Sequence, residues 1–166
     1  MNAMRTIRVE KVVLNVGCGT KTKIDDAKAI LERISGAKAV VISTAKRNTF
    51  NVPKNKPIGV KVTIRRDAPI FLQRILKGRE SLAAGNFDDQ GNFAFGIREY
   101  IDVPGVEYDP KVGMIGFDVC VTLERPGYRV KKKYLPRKVG RTHRITHDEA
   151  LQFVRNNFQI SIEDES

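Results

Sequence analysis

The sequence predicts an α+β domain: a mostly antiparallel sheet with helices packed on one face and the other side left open. Three observations carry this expectation. Strand-like and helix-like segments follow one another in the order strand, helix, strand, strand, helix, several strands, helix, strand, which suits a layer of helices on a sheet. Residues 59–65 alternate strictly, with Val60, Val62 and Ile64 on one face and Lys61, Thr63 and Arg65 on the other. The helical candidates each carry one apolar stripe, so each has one face to bury.

Residues 9–16 open the series as a Val-rich strand, ended by Gly17-Cys18-Gly19. Asp25 can cap a first helix and Gly36 can close it, and Ala27, Ile30, Leu31 and Ile34 recur between them at helical spacing. Residues 38–44 predict a second strand and 59–65 a third. The intervening stretch, Ala45 to Ile58, contains Pro53, Pro57 and three Asn, and reads as a loop or an extended edge. Asp67 is placed to cap a second helix over 68–77, with Pro69 tolerated in its first turn and Gly78 at its end. Gly85 to Gly96 is rich in Gly and Asn, and residues 93–101 suggest a short strand. Met114 to Leu123 is the longest strand candidate, with Phe117, Val119, Val121 and Leu123 on one face. Cys120, in this apolar strand, reads as a small buried hydrophobe. Thr146 and Glu149 are spaced as a capping box, predicting a third helix over 147–157. Residues 159–163 suggest a last strand.

The whole chain, 1–166, reads as a single domain. Residues 125–144 form a basic extension or loop within it, with Pro126-Gly127 and Pro136 but no periodicity. With few apolar residues to bury, that segment is compatible with disorder in isolation. No run of 18 apolar residues is present, and the amino-terminal stretch lacks the pattern of a signal peptide. Cys18 and Cys120 are the only cysteines, far apart and in no CxxC pattern, which fits a reducing, intracellular setting.

Charge is the strongest feature. Thirty Lys and Arg against nineteen Asp and Glu give a formal net charge of +11. The excess is focused. Residues 44–66 hold seven basic and no acidic side chains, and 125–144 hold nine basic and none acidic. Residues 67–124 hold five basic and ten acidic ones. Two acid-free blocks separated by acidic stretches favour a polyanionic partner over a uniformly basic surface.

Other chemistries find little support. His143 and His147 are four apart, but His143 precedes the predicted helix and no Cys or carboxylate completes a familiar ligand set. Beside Arg141 and Arg144 the two histidines fit RNA or helix-start contacts better. Gly17-Cys18-Gly19 lacks the third glycine of a dinucleotide turn, and Thr20 to Lys23 do not supply a phosphate loop. Asp88-Asp89 lies in a Gly-rich stretch without an apolar pocket to raise a carboxyl pKa. No catalytic residue, metal site or cofactor is assigned.

Nucleic-acid binding is the chemistry the residues favour, and the open sheet side would then face RNA. The first block offers Lys46, Arg47, Asn48, Asn51, Lys54 and Lys56, interleaved with Phe50. The second offers Arg125, Arg129, Lys131, Lys132, Lys133, Arg137, Lys138, Arg141 and Arg144, interleaved with Tyr128 and Tyr134. Cations neutralise phosphates, and aromatic rings stack on unpaired bases.

The chain resembles the universal large-subunit ribosomal protein five family, the 5S rRNA-binding family, in its archaeal or eukaryotic branch. The resemblance is carried by Lys11-Val12-Val13-Leu14-Asn15-Val16-Gly17, Thr44-Ala45-Lys46-Arg47, and the run Pro57-Ile58-Gly59 to Arg65. Gly91-Asn92-Phe93-Ala94-Phe95-Gly96-Ile97-Arg98-Glu99 and Met114-Ile115-Gly116-Phe117-Asp118 complete it. It covers about residues 5–123, and the stretch ending His143-Arg144-Ile145-Thr146 resembles the carboxy-terminal region of that branch. The resemblance implies a structural, non-enzymatic protein of the cytoplasmic large ribosomal subunit, with no membrane association. Its implied partners are 5S rRNA in the central protuberance, large-subunit rRNA, nearby P-site tRNA, and neighbouring ribosomal proteins including one of the small-subunit head. It also implies that Asn15 hydrogen-bonds a base or sugar, that Lys46 and Arg47 hold phosphates, and that Lys61, Thr63 and Arg65 share the RNA face. Where many relatives carry Gly-Gln before the second strand, this chain has Gly36-Ala37, with Lys38 as the nearest substitute. The segment corresponding to the relatives' basic transfer-RNA loop is short and weakly charged here, with Asn86, Phe87, Asp88 and Asp89. The 125–144 segment is therefore the better candidate for additional ribosomal or transfer RNA contact. A freestanding RNA-binding protein without 5S rRNA preference is the alternative.

Overall fold

Five strands pair in the order β2-β3-β1-β6-β5, every neighbour antiparallel. They are β1 (Arg8–Gly17), β2 (Val40–Ser43), β3 (Pro57–Ile64), β5 (Phe93–Ile97) and β6 (Phe117–Glu124). A separate short pair joins β4 (Ser81–Ala83) to β7 (Ser161–Glu163) in parallel. Three helices complete the fold: α1 (Ile24–Ser35), α2 (Ala68–Leu76) and α3 (His147–Phe158). This computed structural model describes residues 2–19, 23–47, 52–79 and 81–163.

The sheet sorts its residues by the two-residue period of a strand. Val12, Leu14 and Val16 of β1, Val60 and Val62 of β3, and Phe117, Val119, Val121 and Leu123 of β6 are all buried. They meet the apolar stripes of the helices: Ala27, Ile30, Leu31 and Ile34 of α1, and Ala68, Phe71, Leu72, Ile75 and Leu76 of α2. At the β5 end, Phe93 and Phe95 join Phe87, Ile145 and the Ala150–Val154 face of α3 in the same core. Phe87 stacks on Phe93 with ring centroids 4.9 Å apart. All the helical burial therefore lies on one side of the sheet.

The expected fold class is found, with local corrections. α1 starts earlier than a cap at Asp25 requires: Lys23 is the N-cap, and Asp25 and Asp26 sit in the first turn, where carboxylates suit the helix dipole. Gly36 closes the helix in the left-handed conformation (φ 66°), as glycine there allows. Asp67 occupies the N-cap of α2 without a side-chain capping bond. Strand 93–101 stops at Ile97, and a 3-10 turn over Tyr100–Asp102 follows. The longest strand is β1, with ten residues, because β6 begins only at Phe117. The carboxy-terminal strand is shorter than 159–163. It pairs with β4, outside the main sheet. The capping box stands as predicted: Glu149 N–H donates to Thr146 Oγ1 at 3.5 Å, and Thr146 N–H donates to Glu149 Oε2 at 3.1 Å.

Candidate nucleic-acid interface

The sheet face away from the helices has no element over it among the described residues. Register assembles it in rows. One row runs Gly96, Asp118, Asn15, Lys61, Val40, and the next runs Ala94, Cys120, Val13, Thr63. Lys11 pairs with Thr122 in a further row. Side chains in a row lie roughly 5 Å apart, so Asn15 and Lys61 present their polar ends side by side. The face is thus flatter and less charged than strands of Lys, Arg, Thr and Asn would make it. Its centre is Val13, Ala94, Gly96 and Cys120, ringed by Lys11, Asn15, Lys61 and Thr63. Small side chains let a partner's backbone approach closely.

Cys120 is exposed, contrary to the buried reading. The reason is the strand period itself: Phe117, Val119, Val121 and Leu123 face the core, so the even positions face out. Partial burial and the neighbouring Asp118 carboxylate both push the Cys120 thiol pKa up.

The two basic blocks bracket this face. β1 pairs Gly17 with Gly59 at one end, next to the β2–β3 connection that carries Lys46, Arg47, Lys54 and Lys56. Thr44 closes that connection: its Oγ1 donates to the Pro53 carbonyl at 2.6 Å, and its N–H donates to the Lys56 carbonyl at 2.9 Å. Lys46 and Arg47 are exposed there. Asn48, Phe50 and Asn51 lie outside the described residues. At the other end of β1, roughly 30 Å away for a ten-residue strand, Arg8 pairs with Glu124. The second block attaches at that end. Arg65, just past β3, is exposed on the same side of the alternation as Lys61 and Thr63.

The attachment is an ion cluster. Arg8 Nη2 donates to Glu124 Oε1 at 2.6 Å, and Lys132 Nζ donates to Glu124 Oε2 at 3.1 Å and to Glu10 Oε1 at 2.5 Å. A register shift between Val9 and Lys11 frees Glu10 from strand pairing and aims it at Lys132. Burial pushes the Glu124 carboxyl up, but hydrogen bonds from Arg8 and Lys132 outweigh it and hold the pKa below the usual carboxylate range. Burial likewise opposes the charge on Lys132, yet Glu10 and Glu124 raise its pKa above the ordinary lysine value.

A second set of bonds folds the segment back on itself. Arg125, 4% exposed, donates from Nη1 to the carbonyls of His143 and Arg144 at 3.4 and 3.2 Å, and from Nη2 to Glu149 Oε1 at 2.8 Å. Tyr128 Oη donates to the His143 carbonyl at 3.2 Å and accepts from Ile145 N–H at 2.9 Å. His143 Nε2 donates to the Pro126 carbonyl at 2.8 Å, and its ring lies edge-on to Tyr128. Arg125 and His143 are therefore parts of an internal clasp and not RNA contacts. His147 lies 3.3 Å from the Ala84 carbonyl, and no group of three or more metal-ligating side chains occurs among the described residues.

The predicted RNA-binding residues thus divide. Arg129, Lys133, Arg137, Lys138 and Arg141 are exposed, and their charged groups have no protein partner. Lys131 touches only Gln90, at 3.4 Å, and Arg144 Nε donates to the Val139 carbonyl at 3.2 Å. Lys132 is committed to two carboxylates. Asn15, Lys61 and Thr63 come together on the sheet. Sequence reasoning passed over Lys11 and Arg8. The Lys11-Val12-Val13-Leu14-Asn15 alternation contains the signal for Lys11. Arg8 acts through Glu124, 116 positions away, and no local signal exists for it.

Comparison with known proteins adds a separate finding. Residues 57–153 match the C-terminus of the ribosomal protein uL5 family. The chain is 45% identical over 164 residues to the large ribosomal subunit protein uL5 of Cenarchaeum symbiosum, covering 96% of this chain and 97% of that one. It is 39% identical over 166 residues to uL5 of Sulfolobus acidocaldarius, covering 97% and 93%. It is 38% identical over 168 residues to uL5 of Methanosphaera stadtmanae, covering 98% and 100%.

Proposed function

Given that the chain belongs to the uL5 family of ribosomal proteins, in its archaeal-type branch, we propose that it binds 5S rRNA in the central protuberance of the large subunit. It does so with the open sheet face and the two basic blocks that bracket it. The observation that carries this reading is that arrangement: Asn15, Lys61 and Thr63 side by side, with exposed cations at both ends of the same face. Phosphates of an RNA laid along β1 meet Lys46 and Arg47 at one end, and Arg129, Lys133 and Arg137 at the other. Sugar and base edges meet Asn15 and Thr63 between them, close to the small residues at the centre.

The 125–144 segment extends the contact to large-subunit rRNA and to the vicinity of P-site tRNA. Its nine cations support this, and the Asp88 turn, where Asp88 accepts from the backbone of Gln90 and Asn92, offers no comparable charge. Contact with a protein of the small-subunit head rests on the family alone. The reading assigns no reaction and no cofactor, and it places the chain in the cytoplasm on the ribosome. No described helix is long and apolar enough to cross a membrane.

The test is a titration against 5S rRNA, with transfer RNA and a scrambled RNA of equal length as controls, over a salt series. A hundredfold preference for 5S rRNA corresponds to about 2.7 kcal/mol of discrimination beyond charge. Maleimide labelling of Cys120 locates the contact: bound 5S rRNA should protect it. Equal affinity for all three RNAs would favour a general RNA-binding protein instead.

A further inference from the structure

The two tyrosines of the basic segment have opposite fates. Tyr128 is tied down through its hydroxyl and packs against His143. Tyr134 is 99% exposed, and Leu135 beside it is 77% exposed. They sit at the tip of a loop closed by the hydrogen bond from Arg137 N–H to the Val130 carbonyl, at 3.2 Å. An apolar pair held fully in water contributes nothing to the core, so its contribution must come from something bound.

The surroundings indicate what that is. Lys133 precedes the ring, and Arg137 and Lys138 follow it. None of these three has a carboxylate partner, and 125–144 contains no acid at all. An open groove at the foot of the tip is lined by Arg8, Arg129, Lys132 and Lys133 beside Tyr134 and Leu135. Its carboxylate, Glu124, is already neutralised by Arg8 and Lys132. A ring in such a cationic frame fits a polyanion that carries its own flat apolar faces. In a duplex those faces are already stacked, and the major groove of A-form RNA is too narrow for side chains to read. We propose that Tyr134 is a stacking platform for an unpaired base of ribosomal RNA, with Lys133, Arg137 and Lys138 holding the flanking phosphates. This rests on the RNA-binding reading above and assigns one contact within it.

The chain contains no tryptophan, so Tyr134→Trp places a single reporter at the tip. The probes are 5S rRNA and protein-free large-subunit rRNA, with a fully paired RNA duplex as control. At least one rRNA should quench the Tyr134→Trp emission, and the duplex should not. Tyr134→Ala should bind that rRNA roughly tenfold more weakly with an unchanged salt slope, because stacking releases no counterions. Tyr134→Phe should bind like the wild type. Because the ring touches nothing, all three variants should melt with the wild type. Full rRNA binding with silent emission and an undiminished Tyr134→Ala affinity would overturn the proposal and leave the RNA-binding reading standing. Equal quenching by the duplex, or an emission change only with ribosomal proteins, would also overturn it. Failure of the wild type to bind any rRNA would instead remove the underlying reading.

Discussion

Arg125 Nη2 lies 2.8 Å from Glu149 Oε1, joining residues 24 positions apart. The first residue of the acid-free basic segment is thereby bonded to the carboxylate that completes the capping box of the helix after it. Glu149 uses one oxygen for Thr146 and the other for Arg125. A segment that charge repulsion would spread is pulled closed at its base. Its unpaired cations stay outside, where a polyanion can reach them.

Arg125→Ala should therefore destabilise more than an ordinary surface substitution. It removes two bonds to carbonyls and an ion pair from a site that is almost fully buried. The expected cost is about 2–3 kcal/mol, below that of a wholly buried pair because Glu149 keeps access to water. Chemical denaturation measures it, and amide exchange should rise first at His143 to Ile145.

Acid should weaken the same fastening. Burial raises the Glu124 and Glu149 carboxyl pKa values, but their hydrogen-bond partners lower them further, and both end below the ordinary 4.5. A depressed folded pKa contributes stability that is present above the unfolded value and is lost as pH falls through the folded one. Stability should thus drop from about pH 4.5 downward. The gap between wild type and a Glu124→Gln variant should shrink over that limb. Lys132 has the opposite sign. Its raised pKa contributes stability throughout the neutral range that is lost only at alkaline pH, so it plays no part in the acid transition. Urea melts across pH in both proteins check both statements.

The three consecutive lysines should behave differently. Lys131→Ala and Lys133→Ala should leave the melting temperature unchanged. Each that contacts a phosphate should lower the salt slope of rRNA binding by about 0.7–0.9 when removed. Lys132→Ala should lower stability by about 1 kcal/mol, a value discounted for its partial exposure. Parallel melting curves and salt titrations separate these outcomes.

Gly59 tests the end of the open face. A Cβ there would lie 2.6 Å from the Val16 carbonyl oxygen, in the middle of the β1–β3 pairing. Gly59→Ala should force the strands apart locally and cost about 1–3 kcal/mol. Faster exchange of the Cys18 amide, which donates to the Ile58 carbonyl at 2.8 Å, would report it. Weaker RNA binding should accompany the change, because Lys46 and Arg47 hang from the same end.

Much of this protein follows from local pattern. Strand alternation predicted the core faces of β1, β3 and β6, helical spacing predicted the stripes of α1 and α2, and Thr146 with Glu149 predicted the start of α3. These features depend on residues within a few positions of each other, where backbone geometry alone decides who shares a face. The charge blocks were equally legible, because a run of cations without acids is a property of the chain. The tertiary structure decided which cations are available. Lys131, Lys132 and Lys133 are chemically identical in sequence, yet only Lys132 meets Glu10 and Glu124, and those carboxylates arrive from strands far away in the chain. Tyr128 and Tyr134 are separated in the same way, by whether a distant carbonyl reaches the hydroxyl. Strand order placed the two basic blocks at opposite ends of one face, a consequence of pairing between segments that no local signal encodes.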